Sequence, residues 1–138
     1  MRNISALGLG LLCIGLGLYA AAAATPFAYP AAFDSDGATR NAVALFVMLT
    51  ITAVTAAFAG WLTARIVSDH RIGHALMTAT LGLVAAVLMG AVRWAAAPSW
   101  YWVASWMLLP AAAAFGAAAW DRTLRRKTGD AARRVAAT

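Results

Sequence analysis

Two histidines and two arginines stand close together in a chain with few other reactive groups. His70 and His74 are four residues apart, and Arg65, Asp69 and Arg71 accompany them in the segment Gly60 to His74, GWLTARIVSDHRIGH. Four-residue spacing puts two imidazoles on one face of a helix, where they can hold a metal ion. Asp69 stands close enough in sequence to orient one ring. No third protein ligand accompanies the pair, however, and Gly73 weakens the segment as a continuous helix, so no metal and no cofactor is assigned. The same residues offer a second chemistry. Guanidinium groups bind phosphate oxygens in pairs, which makes Arg65, Asp69, His70, Arg71 and His74 a candidate site for a lipid headgroup or a protein partner. The plainer reading is a polar turn whose arginines set topology, with Asp69 paired to Arg65 or Arg71 for little energy.

The elements that must position these residues are apolar. Of 138 residues 63% are hydrophobic and 12% charged, against about a quarter charged in a soluble domain. Four runs are long enough to cross a bilayer: Ile4 to Ala24, Asn41 to Leu62, His74 to Val92 and Tyr101 to Trp120. The expected fold is all-α, a transmembrane four-helix bundle followed by a basic tail from Asp121 to Thr138. The first run has a competing reading. Arg2, an apolar middle and a string of alanines also describe a cleavable signal peptide, but the run is as long as a full span and is read as an uncleaved helix.

Small residues recur every four positions in the middle spans. Thr52, Ala56, Gly60 and Ala64 form one row, and Thr78, Gly82, Ala86 and Gly90 form another. Such rows let helix backbones approach closely, and the two are expected to face each other. Ala112 and Gly116 repeat the spacing in the fourth span, where Pro110 predicts a kink. Thr25 to Arg40, with two prolines and an Asp-Ser-Asp-Gly turn signal, reads as an irregular loop. Trp94 to Trp102, WAAAPSWYW, reads as a proline turn within an aromatic belt, with Trp61 and Trp120 marking the opposite interface.

Charge fixes an expected orientation. Nine of the eleven Lys and Arg fall on one side: Arg2, Arg65, Arg71, and Arg122, Arg125, Arg126, Lys127, Arg133 and Arg134 of the tail. Arg40 and Arg93 fall on the other. The positive-inside rule then places both termini and the Gly60 to His74 turn in the cytoplasm. The basic tail is expected to meet anionic phospholipid at the inner leaflet, and no nucleic acid, because no recognition motif accompanies its charge.

Gly60-Trp-Leu-Thr-Ala-Arg65 ending the second span, His74-Ala opening the third and Pro98-Ser-Trp100-Tyr-Trp102 opening the fourth resemble the small, uncharacterised four-span inner-membrane proteins of bacteria. The resemblance runs over Val43 to Trp120. It implies a four-span fold and an inner-membrane location, and it brings no activity with it. Other small membrane families fit less well: the chain has no glutamate for a multidrug-exporter core and only Cys13 where thiol oxidation needs cysteine pairs.

All five acidic residues are aspartates (Asp34, Asp36, Asp69, Asp121 and Asp130), and none lies deep within an apolar run. A pump built on a buried carboxylate does not fit that distribution. The expected function is therefore non-enzymatic: an accessory, assembly or scaffold component of the bacterial inner membrane that packs against itself or a membrane-protein partner. A small oligomeric transporter with Thr50, Thr52, Thr55, Thr78 and Thr80 along a polar path is the alternative. A lipid- or metal-binding protein built on Arg65 to His74 stands third.

Overall fold

The computed structural model describes the backbone of residues 2–136 and the side chains of residues 3–126. Four helices make up the chain: α1 (Arg2–Ala28), α2 (Ala42–Ile66), α3 (Arg71–Val92) and α4 (Ser99–Ala136). The shortest, α3, has 22 residues, which at 1.5 Å per residue is about 33 Å and enough for a hydrocarbon core of about 30 Å. All four are apolar enough to cross a membrane.

The distribution of side-chain size is that of a protein whose solvent is lipid. The buried positions are mostly small, including Ala6, Ala21, Ala44, Ala56, Ala59, Ala64, Ala75, Ala79, Ala113 and Ala117. The outer surface carries the large apolar groups, among them Leu12, Leu16, Phe46, Phe58, Leu88, Met107 and Phe115. In water the hydrophobic effect would drive these large groups inward. In a bilayer the tails outside are as apolar as the groups inside, and close backbone packing drives association instead.

Each of α2 and α3 packs against all three other helices, while α1 and α4 lie on opposite flanks. The deepest cluster joins Ile14 of α1, Ala56 and Ala59 of α2, Ala79 of α3, and Leu109 and Ala113 of α4. The rows of small residues are arranged differently from the sequence expectation. Gly60 of α2 is seated on α4, where an added methyl would run into the carbonyl group of Ala113, and Gly116 of α4 is seated in the same way on Ala57. The α3 row turns elsewhere. Gly82 receives Ile14 of α1, and Gly90 lies against the rings of Trp102 and Trp106. The reason is reciprocity: α4 offers α2 both a flat alanine surface and a glycine of its own, so two backbones can meet, whereas Gly82 is a notch that a branched side chain fills. At the end of the bundle nearest the 67–70 turn, Ala64 of the α2 row shares a cluster with Ala75 of α3, a residue outside the α3 row, and with Ala117 of α4.

Four boundaries differ from the sequence reading by three residues or more, one of them the end of α2, which runs to Ile66 where Leu62 was expected. α1 continues four residues beyond Ala24, through Pro26 to Ala28. The Thr25 hydroxyl donates to the Ala21 carbonyl at 2.7 Å, and the Tyr29 amide closes the last turn on Thr25; a proline this near the C-terminus removes only one backbone donor. α3 begins at Arg71, not His74. α4 does not end at Trp120 but runs on as helix to Ala136, about 24 Å farther at 1.5 Å per residue. Asp121 and Arg125 support that extension as an ion pair one turn apart, at 2.9 Å. Within the span, α4 remains helix on both sides of Pro110. The side chains of Arg2, Lys127, Asp130, Arg133 and Arg134, which carry part of the charge argument, lie outside the described residues.

Connections at the two ends complete the frame. Asn41 caps α2 by accepting the Val43 and Ala44 amides at 3.0 and 3.3 Å. The loop before it is tied to the α3–α4 connection, because the Thr39 amide donates to the Ala96 carbonyl at 2.9 Å. The terminal nitrogen of the Arg93 guanidinium reaches over Gly37 of the same loop, so this exposed arginine points away from the bundle interior. At the opposite end, residues 67–70 form the short turn between α2 and α3.

Candidate functional site

The candidate residues Arg65 to His74 stand at the 67–70 end, and the fold sorts their charged groups into two separate arrangements. Arg65 lies in the last turn of α2. Its guanidinium carbon stands 5.2 Å from the ring centre of Trp61, one turn earlier, and 5.7 Å from that of Trp120 on α4. The two indoles meet edge to face at 5.7 Å, and Phe58 stacks on Trp61 at 5.6 Å. Each cation–π contact of this kind contributes about 0.5–2 kcal/mol, toward the upper value where water is excluded.

Arg71 takes the other direction. Its Nε donates to the Val67 carbonyl at 3.1 Å, and a terminal nitrogen lies 3.6 Å from Asp121 on α4. Asp121 also accepts from Arg125. One carboxylate thus serves two arginines and ties the start of α3 to the far part of α4. Asp69 accepts from the neighbouring Ser68 hydroxyl at 3.1 Å, and among the described residues no ion pair joins it to Arg65 or Arg71. The sequence-based pairing of Asp69 with one of those arginines is replaced by the Arg71–Asp121 bridge.

The histidines do not form a helical pair. His70 is the N-cap of α3 and adopts a left-handed backbone conformation with φ 47°, so its side chain leaves the chain before the helical periodicity begins. His74, in the first turn, holds its Nδ1 3.2 Å from the His70 carbonyl, and the tautomer protonated there donates to it. The four-residue spacing therefore brings a ring nitrogen of His74 to the His70 carbonyl, which already accepts the His74 amide. Among the described residues no group of three or more His, Cys, Asp or Glu side chains is placed to hold a metal ion.

The threonines considered for a polar path are divided. Thr50 and Thr80 are exposed on the outer surface. Thr52, Thr55 and Thr78 face inward, but each hydroxyl donates to a carbonyl of its own helix, on Met48, Ile51 and His74 respectively, at 2.7–3.0 Å. The crevice lined by Ile14, Leu18, Thr52, Thr55, Ala56 and Leu109 has no room for a water molecule. Two buried polar atoms have no partner among the described residues, the Thr63 hydroxyl and the Trp106 indole nitrogen. Thr63 packs where Gly10 of α1 leaves space for it.

Sequence reasoning brought out Arg65 and Arg71 but not their partners. Trp61 and Arg65 are four apart, as are Asp121 and Arg125, and that spacing was the available signal for both contacts. Which helix would bring Trp120 and Asp121 across could not be read from spacing within one element. Comparison of the chain with protein-family models, curated proteins and solved structures finds no match.

The class defined by these observations is a multi-pass integral membrane protein with a four-helix bundle.

Proposed function

We propose that this protein is a non-enzymatic accessory or scaffold component of the bacterial inner membrane, related to the small four-span proteins its sequence resembles. The observation that carries the reading is the dry α2–α4 seam, in which Gly60 and Gly116 each meet the backbone of the facing helix. A bundle fastened by direct backbone contact holds its helices in one arrangement, which suits a protein that presents a fixed surface to others. A solute path would need polar groups turned toward a hydrated space. The inward hydroxyls of Thr52, Thr55 and Thr78 instead satisfy their own helices.

In this reading both termini and the 67–70 turn are cytoplasmic, because the excess of Lys and Arg lies at that end of the chain's path. The basic residues after Trp120 attract the anionic inner leaflet over the first turns of the α4 extension. The large apolar groups on the outer faces are covered by lipid, by a second copy or by a membrane-protein partner.

The test is extraction from native membranes in a mild detergent followed by intact mass measurement, with reconstitution of the same material into sealed vesicles. A fixed stoichiometry with copies or partner subunits, and no solute flux above protein-free vesicles, is expected. A monomer that conducts or exchanges a solute would contradict the scaffold reading and favour the small transporter.

A further inference from the structure

We infer that Arg65, Trp61 and Trp120 form a site for the headgroup phosphate of one anionic phospholipid. Arg65 is exposed and has no carboxylate or hydrogen-bond partner among the described residues, while the nearby carboxylates are already engaged: Asp121 by Arg71 and Arg125, and Asp69 by Ser68. A cation held over ring faces uses none of its N–H donors for that contact, so the guanidinium edge stays free for two phosphate oxygens. The indole nitrogens of Trp61 and Trp120 also lack partners among the described residues, and neither is one of the sealed-off polar atoms. A guanidinium and two indoles from two helices thus share one patch.

The order of groups along α2 favours a lipid over free phosphate. Phe58, Trp61 and Arg65 follow one another on one side of the helix, with Phe58 52% exposed and farthest from the turn. They span about 10 Å at 1.5 Å per residue. An apolar ring, an amphipathic ring and a cation in that sequence match the acyl chain, the glycerol region and the phosphate of a phospholipid standing beside the helix. Charge selects the headgroup. Arg65, Arg71 and Arg125 against Asp121 and Asp69 still leave the patch positive, and ring faces that could take a quaternary ammonium are occupied by Arg65.

Native mass measurement of the full-length protein in non-ionic detergent tests the assignment, with phosphatidylglycerol, phosphatidylcholine or inorganic phosphate added separately. One phosphatidylglycerol per chain is expected to bind about tenfold more tightly than phosphatidylcholine, with Arg65→Gln removing the preference and Arg40→Gln, at the opposite end of the bundle, preserving it. Arg65→Lys keeps the charge but loses the two-pronged donor, and an intermediate preference is expected. That variant keeps the question decidable should Arg65→Gln fail to fold. Undiminished preference in Arg65→Gln, or in Arg65→Lys if only that variant folds, overturns the site. Full competition by millimolar inorganic phosphate would show a free-anion site in place of a lipid site, and equal retention of the two lipids would show only an unselective lipid coat.

Discussion

Gly60 of α2 rests directly on the peptide group of Ala113 in α4, with no side chain between the two backbones. The reciprocal contact of Gly116 with Ala57 makes this a crossing of backbone on backbone from both sides. Because neither backbone can yield without moving a whole helix, Gly60→Ala is expected to lower stability by about 2 kcal/mol or more. Gly8→Ala is the matched control, since its added methyl meets nothing within 4 Å; it is expected to be neutral or to stabilise by about 0.5 kcal/mol through helix propensity. Denaturation of both variants in mixed detergent micelles reads the difference, and equal effects would contradict the seam.

The Thr63 hydroxyl is fully buried and has no partner among the described residues. Thr63→Val replaces it with a methyl of nearly the same shape, so no hydrogen bond is lost and a desolvation cost is relieved. Stability is expected to be unchanged or to rise by up to about 1 kcal/mol. Thr52→Val, which gives up only the bond to Met48 of its own helix, is expected to cost about 0.5 kcal/mol. A loss above about 2 kcal/mol at Thr63, measured by the same denaturation, would reveal an interhelical bond there.

His70 carries a positive φ that a residue with a Cβ adopts at a cost of about 1 kcal/mol. Glycine has no such penalty, so His70→Gly is expected to stabilise the protein by about 0.5–1 kcal/mol. Thermal unfolding with and without added zinc also tests the metal reading. Zinc is expected to shift neither protein, and a shift that disappears in His70→Gly would restore the histidine pair as a ligand set.

Among the described residues Asp121 is the carboxylate that bridges α3 to α4 at the basic end, 27% exposed and shared by Arg71 and Arg125. Asp121→Asn is expected to cost about 1 kcal/mol or less at low salt. High salt is expected to remove most of that difference, because partly exposed pairs are screened. A salt-independent loss would mean that the carboxylate acts in some other way.

The membrane fold was legible because length and composition decide it. Four uninterrupted apolar runs admit few alternatives to helices across a bilayer. Pairing was less legible: rows of small residues mark a helix face as suited to close approach without naming the helix that approaches, and Gly60 found Ala113 where the Gly82 row had been expected. The helix ends were misplaced where local chemistry outweighed a breaker, as when Thr25 and Tyr29 carried α1 past Pro26. At the basic end, Arg65 and Arg71 could be picked out as the cations of a turn. Their separation into an aromatic and an acidic partnership depended on Trp120 and Asp121, adjacent residues that α4 brings from a distant part of the chain.

Cysteine accessibility across the bundle reads directly whether its interior is dry. In a Cys13→Ser background, Thr52→Cys and Ala56→Cys place thiols at buried seam positions, and Ser68→Cys places one in the exposed turn. In sealed vesicles a membrane-impermeant thiol reagent is expected to modify Ser68→Cys, from the cytoplasmic face alone, and to leave Thr52→Cys and Ala56→Cys unmodified from either side. Modification of the two seam positions at rates comparable to Ser68→Cys would contradict a dry interior, because water would then reach the centre of the bundle.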